Sequence, residues 1–278
     1  MKGVKQVFDF YLNSSIHVAL SVCSLCYITM LEFNLEVDVI LLWFVLFATI
    51  TGYNFVKYFG LAKFHHRSLA TWLKYIQIFS FLCFIALTYF TVQLKTRTIL
   101  YLLGLGVITF LYAIPFLPKK YFLDKGKNLR AISGLKVYVI AFVWSVTTVA
   151  LPLVNKDLLF EFDMIISFMQ RFLFVLVLML PFEIRDMNYD SLKLGTIPQQ
   201  IGVQNTKLIG SVIIIVITIM EFFKDYFLEV KTVILIVIMT LTMALLWFSK
   251  VNQKAYYSSF WVESIPIMWL IITLAIML

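Results

Sequence analysis

Long apolar blocks run through this chain, separated by short polar connections. They are too continuous for the half-buried helices or alternating strands of a water-soluble domain. A membrane-crossing helix needs roughly 20 predominantly apolar residues. Runs of that kind predict nine helices, at Phe10–Leu31, Val39–Tyr58, Tyr75–Leu94, Thr98–Pro118, Val137–Asn155, Met164–Phe182, Val203–Phe223, Thr232–Ser249 and Ala255–Leu278. Most hold no charge. The exceptions are Lys57 at the end of the second, Arg171 in the sixth, Lys207 and Glu221 near the ends of the seventh, and Glu263 in the ninth.

Composition agrees with the pattern. Of 278 residues, 62% are apolar and 14% charged, with a mean hydropathy of +0.94; soluble domains average about 45–50% and about 25%. So little polar surface excludes a soluble enzyme, a disordered chain and a disulfide scaffold. The expectation is an all-α polytopic membrane protein, residues 1–278 forming a single integral membrane domain. Cys23 and Cys26 make a C-x-x-C, but inside an apolar run with no βαβ pattern they read as small helix residues. Lys2 and Lys5 precede the first apolar run, and no small-residue cleavage site stands out after it, so that run is expected to stay in the membrane.

The distribution of charge fixes an orientation. With the N-terminus inside and nine alternating helices, only Lys95, Arg97, Lys156, Arg171, Lys224 and Lys231 of the 23 basic residues fall outside. Acidic residues lean the other way. Basic residues gather on the cytoplasmic side of membrane proteins, which puts the N-terminus in the cytoplasm and the C-terminus opposite, in the cytoplasmic membrane if the cell is bacterial. The net charge of +8 is thereby accounted for without nucleic-acid binding.

Three inside connections carry the candidate chemistry. Lys57–Lys74 holds Lys63, His65, His66 and Arg67, and Lys119–Lys136 holds six basic residues and one acid. Solvated, orientation-setting loops explain both equally simply. The third, from Pro181 to Pro198, is more specific. If the sixth helix continues through it, Glu183, Asp186 and Asp190 fall on one face. Three carboxylates on one stripe call for a cation, and hard oxygen ligands suit Mg²⁺, which prefers one or two carboxylates plus substrate phosphates. A helix end paired to nearby lysines is the competing reading. Pro181 interrupts the backbone ladder beside the stripe.

Here the sequence resembles the UbiA superfamily of membrane prenyltransferases. The segment from Arg185-Asp186 through Asp190 to Gly195-Thr196-Ile197-Pro198 and Gly202 is similar to that family's second aspartate motif and the stretch that follows it. Leu111-Tyr112-Ala113-Ile114-Pro115, trailed by Lys119 and Lys120, is similar to an aromatic-proline segment of the family. The first motif, N-x-x-x-D-x-x-x-D, survives only as Asn54, with Tyr58 and Ala62 where the aspartates stand.

The resemblance implies a UbiA-like helical bundle and a transferase. It would move an allylic prenyl group from its diphosphate to an aromatic or quinone-precursor acceptor, with membrane lipid around it. Asp186 and Asp190 are then the catalytic metal ligands holding Mg²⁺, with Glu183 as auxiliary ligand. Asn54, Lys57, Lys119, Lys120 and Arg130 are expected at the diphosphate, Lys57 replacing missing metal charge with a fixed cation. The alternative is a non-catalytic protein of the same fold that binds an isoprenoid, another lipid or a membrane partner. His17 is expected to bond a neighbouring helix; Arg171, an intramembrane arginine and so a functional candidate by default, has snorkelling toward the outer surface open to it and is left out of the core site.

Overall fold

An apolar segment in hydrocarbon has no water to bond its amides, so it satisfies them internally as a helix. The computed structural model describes residues 2–58, 71–113, 134–158, 161–187, 195–225 and 229–277, without the side chains of 2, 71 and 110–113. Every secondary-structure element among them is helical: α1 (Lys2–Asn13), α2 (Ile16–Glu32), α3 (Val39–Tyr58), α4 (Thr71–Thr91), α5 (Thr96–Ala113), α6 (Leu135–Ser145), α7 (Leu151–Asn155), α8 (Phe162–Asp186), α9 (Ile197–Glu221), α10 (Glu229–Phe248) and α11 (Ile265–Met277). A π turn at Val146–Ala150 joins α6 to α7, and another at Tyr257–Val262 leads towards α11.

Among the described residues, seven helices are long and apolar enough to cross a membrane, and the bent pair α1–α2 brings the number to eight. The fourth predicted span coincides with α5, a shorter apolar helix whose predicted continuation lies outside the described residues. Nine apolar segments were expected; the structure gives seven long spans, one broken and one short.

The break is the main departure from the sequence reading. Instead of one helix over Phe10–Leu31, the chain turns by 53° between α1 and α2. Ser15 adopts φ 64°, and both Ser14 and Ser15 are fully buried. Asparagine and serine compete for backbone bonds and weaken a helix interior, so Asn13-Ser14-Ser15 is a natural place to bend.

Helix α8 is the axis of the bundle. Its span is 61% buried, against 17% for Trp72–Thr91, so α8 meets protein on most sides while α4 faces lipid. Phe174, Val175, Val177, Leu178 and Ile184 of α8 form the centre of the core, packed by α6, α9 and α10, while α2 lies between α3 and α11. Two glycines shape α9. A Cβ on Gly210 would run into Leu246 and Leu180, so glycine lets three helices close up. Gly202, at φ 81° and ψ 161°, kinks the helix.

Polar contacts respect the two sides assigned from charge. Lys95 pairs with Asp157 at 2.6 Å, Thr98 donates to Asn155, Asn155 donates to Asp38, and the Asp225 amide donates to Asp163, all on the predicted outside. Tyr58 donates to the Asn13 carbonyl, Tyr256 to Asp9, and Lys207 to the Trp247 carbonyl at the other end. A single missed crossing would pair residues from opposite ends.

The backbone region at Gly202 is essentially closed to other residues, at a cost of about 1–3 kcal/mol. Gly202→Ala should therefore lower the thermal unfolding midpoint in detergent despite alanine's better helix propensity. A raised midpoint would show that α9 straightens freely.

Candidate functional site at the polar end of the bundle

The site is assembled around the broken first span. Asn54 of α3 is 3% exposed and holds the break together. Its Oδ1 accepts from Ser15 Oγ at 2.8 Å, and its Nδ2 donates to the Ser14 carbonyl at 2.9 Å and to Ser80 Oγ of α4 at 2.8 Å. Both amide donors are committed to protein. Asn54 was expected at the diphosphate; in the structure it joins three helices.

Lys57, one turn further along α3, is exposed overall, yet its Nζ donates to Ser15 Oγ at 3.1 Å. Glu263, between the second π turn and α11, lies within electrostatic range of both Lys57 and Arg185, while its backbone carbonyl accepts from Ser21 Oγ. Three helices thus bring two cations and a carboxylate together at one end of the bundle. Glu263 drew no functional reading from sequence. An acid at the inner end of a span is a functional candidate by default, and that was the available signal.

Arg185 also grips Asp186, its chain neighbour, through a two-pronged pair of 2.7 Å from Nε to Oδ1 and 3.1 Å from Nη2 to Oδ2. Its guanidinium lies 5.3 Å from the Phe182 ring centroid. Both members of the pair are partly exposed, with 30% and 24% of their side-chain surface open, so Asp186 faces the polar mouth. Glu183 is 2% exposed, and its Oε2 accepts the Ile197 amide at 3.3 Å. That amide belongs to the first turn of α9, where Gln199 Oε1 also accepts the Thr196 amide at 3.1 Å. An acid at a helix N-terminus also opposes the macrodipole favourably.

The structure therefore gathers Lys57, Arg185, Asp186 and Glu263 at one end and gives Asn54 and Glu183 partners within the protein. Asp190, Lys119, Lys120 and Arg130 lie outside the described residues, as do Lys63, His65, His66 and Arg67. Among the described residues no group of three or more His, Cys, Asp and Glu is placed to hold a metal.

Two deeper residues are also settled. His17 donates or accepts at both nitrogens, 2.7 Å from Tyr11 Oη and 3.0 Å from the Phe260 carbonyl, so it links α2 to the second π turn. The carbonyl takes the Nε2 proton, leaving Nδ1 to accept from tyrosine. Arg171 does not reach outwards: it is 3% exposed and donates to the Leu25 carbonyl at 3.1 Å. Cys23, Cys26 and Cys83 are free thiols.

No protein-family model matches the chain, and no curated protein does. Among solved structures, the chain is similar to one described as "Structural and mechanistic insights into the biosynthesis of Digeranylgeranylglyceryl phosphate synthase in membranes", at a TM-score of 0.55 and 13% identity, covering 96% of this chain and 98% of that one. That neighbour is a UbiA-superfamily membrane prenyltransferase. The helical bundle expected from the motifs is the bundle found, and at this identity the likeness is one of fold.

The geometry separates structural from exposed polar groups. Asn54→Ala removes the side-chain donor of the buried Ser14 carbonyl and breaks the bonds to Ser15 and Ser80, and should cost about 1–3 kcal/mol. Asp186→Asn alters a partly exposed pair, typically about 1 kcal/mol or less. Thermal unfolding of both variants in the same detergent checks the ordering; equal losses would mean the Ser14–Ser15 break does not depend on Asn54.

Proposed function

From the fold of a UbiA-type membrane prenyltransferase as premise, we propose that this protein transfers a prenyl group from an allylic prenyl diphosphate to a lipid-soluble acceptor, with Mg²⁺. The observation that carries the reading is the charged cluster Lys57, Arg185, Asp186 and Glu263 at the mouth of the bundle. Opposite charges gathered at the end of an apolar bundle suit a ligand with a diphosphate head and a hydrocarbon tail.

The donor chemistry fits the metal. Mg²⁺ takes one or two carboxylates and completes its shell from water and substrate phosphates. Asp186 keeps lone pairs beyond the two occupied by Arg185, so Asp186 and Asp190 would hold the ion, with Glu183 supporting from the second row through α9. When bound, Mg²⁺ neutralises diphosphate charge and so eases loss of the leaving group. Lys57 and Arg185 hold and neutralise the same oxygens as the allylic C–O bond breaks and its electron pair departs with diphosphate. Lys119, Lys120 and Arg130 add positive charge to that end. Glu263 keeps Lys57 and Arg185 oriented before substrate arrives. The acceptor's nucleophile bonds the allylic carbon and gives up its proton to the departed diphosphate, while the bundle excludes water. An aromatic or quinone precursor is the acceptor class favoured from sequence; a glyceryl phosphate is the class named for the structural neighbour.

A second reading has its own support. Asn54, the remnant of the first motif, is fully engaged by Ser14, Ser15 and Ser80, and Tyr58 donates to the Asn13 carbonyl at 2.8 Å. A fold that spends its motif positions on packing is what a non-catalytic isoprenoid-binding protein would retain.

Membranes carrying the protein should form labelled product and diphosphate from a prenyl diphosphate and an acceptor only with Mg²⁺. Asp186→Asn and Asp190→Asn should each lower turnover by about 100-fold or more. Full activity in both removes the metal assignment. Isoprenoid binding indifferent to Mg²⁺, with no diphosphate released, favours the second reading. Lys57→Ala should raise KM for the diphosphate at least about tenfold, and an unchanged KM would separate Lys57 from the substrate.

A further inference from the structure

Fifteen residues before Asp186 on α8, about 22 Å along the helix, Arg171 faces a cavity at the opposite end of the bundle. It measures about 30 Å³, room for a water or a hydroxymethyl group. Ile28, Phe174, Leu235 and Trp269 supply apolar walls, so an occupant's remaining carbons would continue between helices.

The polar lining is satisfied except at one place. Gln170 donates to the Ile217 carbonyl and to Glu221 at 3.0 and 2.9 Å, and Glu221 is paired with Lys224 at 2.8 Å. Lys231 donates to the Leu31 and Glu32 carbonyls at 3.0 and 3.1 Å. Arg171 gives Nη1 to the Leu25 carbonyl and one Nη2 hydrogen to Thr29 Oγ1 at 3.4 Å, which leaves the other Nη2 hydrogen, whose nitrogen stands 3.9 Å from Glu32 Oε2. That last distance is beyond a hydrogen bond. Glu32 Oε2 is buried and accepts none.

Those two atoms define the missing chemistry: one wants an acceptor, the other a donor. An anion would satisfy Arg171 and face the Glu32 carboxylate. A cation would do the reverse. A hydroxyl both accepts and donates. We infer that this cavity holds the hydroxyl head of a neutral long-chain membrane alcohol, its oxygen accepting from Arg171 and its proton given to Glu32 Oε2. The site is independent of the prenyl-transfer reading, because neither Asp186 nor Lys57 lines it.

Trp269 reports on it directly, since its ring lies 5.3 Å from the Arg171 guanidinium. A dodecanol brominated beside its hydroxyl, added to the full-length protein in detergent, should quench tryptophan emission saturably. The effect should vanish in Trp269→Phe and persist in Asp186→Asn. Affinity should exceed that of bromododecane and of the brominated fatty acid by about tenfold, the worth of one hydrogen bond to a charged group. Glu32→Ala, at a partly exposed position that tolerates truncation, should weaken the alcohol by a similar factor, whatever becomes of Arg171 variants. Competition by farnesol or by monoolein supports the assignment and separates an isoprenoid from a glyceryl source. Competition by neither, quenching by the alkane as strong as by the alcohol, tighter binding of the carboxylate, or no saturable quenching overturns it and leaves the cavity to water.

Discussion

Hydrocarbon offers no partner to an unpaired backbone group, and that constraint organises the polar residues of this protein. At the broken span and at several helix ends, a side chain from elsewhere completes the backbone. Asn54 takes the carbonyl of Ser14 and the hydroxyl of Ser15. Glu183 takes an amide at the start of α9, Lys231 takes two carbonyls at the end of α2, and Lys207 takes one near the end of α10. Most ionisable groups that catch the eye within the apolar runs are therefore helix-end partners first. What they leave over, at the mouth near Asp186 and in the cavity beside Arg171, is where ligand chemistry has room.

The mouth is balanced as well as charged. Lys57 and Arg185 share the field of Glu263, and Arg185 is held again by Asp186. Fixed groups of alternating sign need little reorganisation when an anionic head replaces some of these contacts, which is the condition under which electrostatic stabilisation is most effective. The same balance helps keep the bundle stable when empty, because Lys57 and Arg185 each have a carboxylate nearby.

Much of this architecture was legible in the sequence. The apolar runs located the helices, and the sidedness of lysine and arginine correctly grouped residues as distant as Asp38 and Asn155 at one end. The bend at Ser14–Ser15 was hidden by hydrophobicity that continues across it: Asn13-Ser14-Ser15 weakens the helix locally, and a tertiary partner, Asn54, holds the break open. Motif spacing presented Asn54 as a ligand and gave no sign of Ser80. Arg171 looked free to extend outwards because sequence does not reveal that Leu25 and Trp269 close over it. Glu263 is far in sequence from Lys57 and Arg185, and only the folding of the last span against α2 brings them together.

The shortness of α2 has a consequence for the surrounding bilayer. Its 17 residues cover about 26 Å at 1.5 Å each, less than a hydrocarbon layer of roughly 30 Å. With α1 turned by 53°, the hydrophobic length of this first span depends on α1 as well as α2, which makes it the span most open to tilting, snorkelling or local thinning of the bilayer.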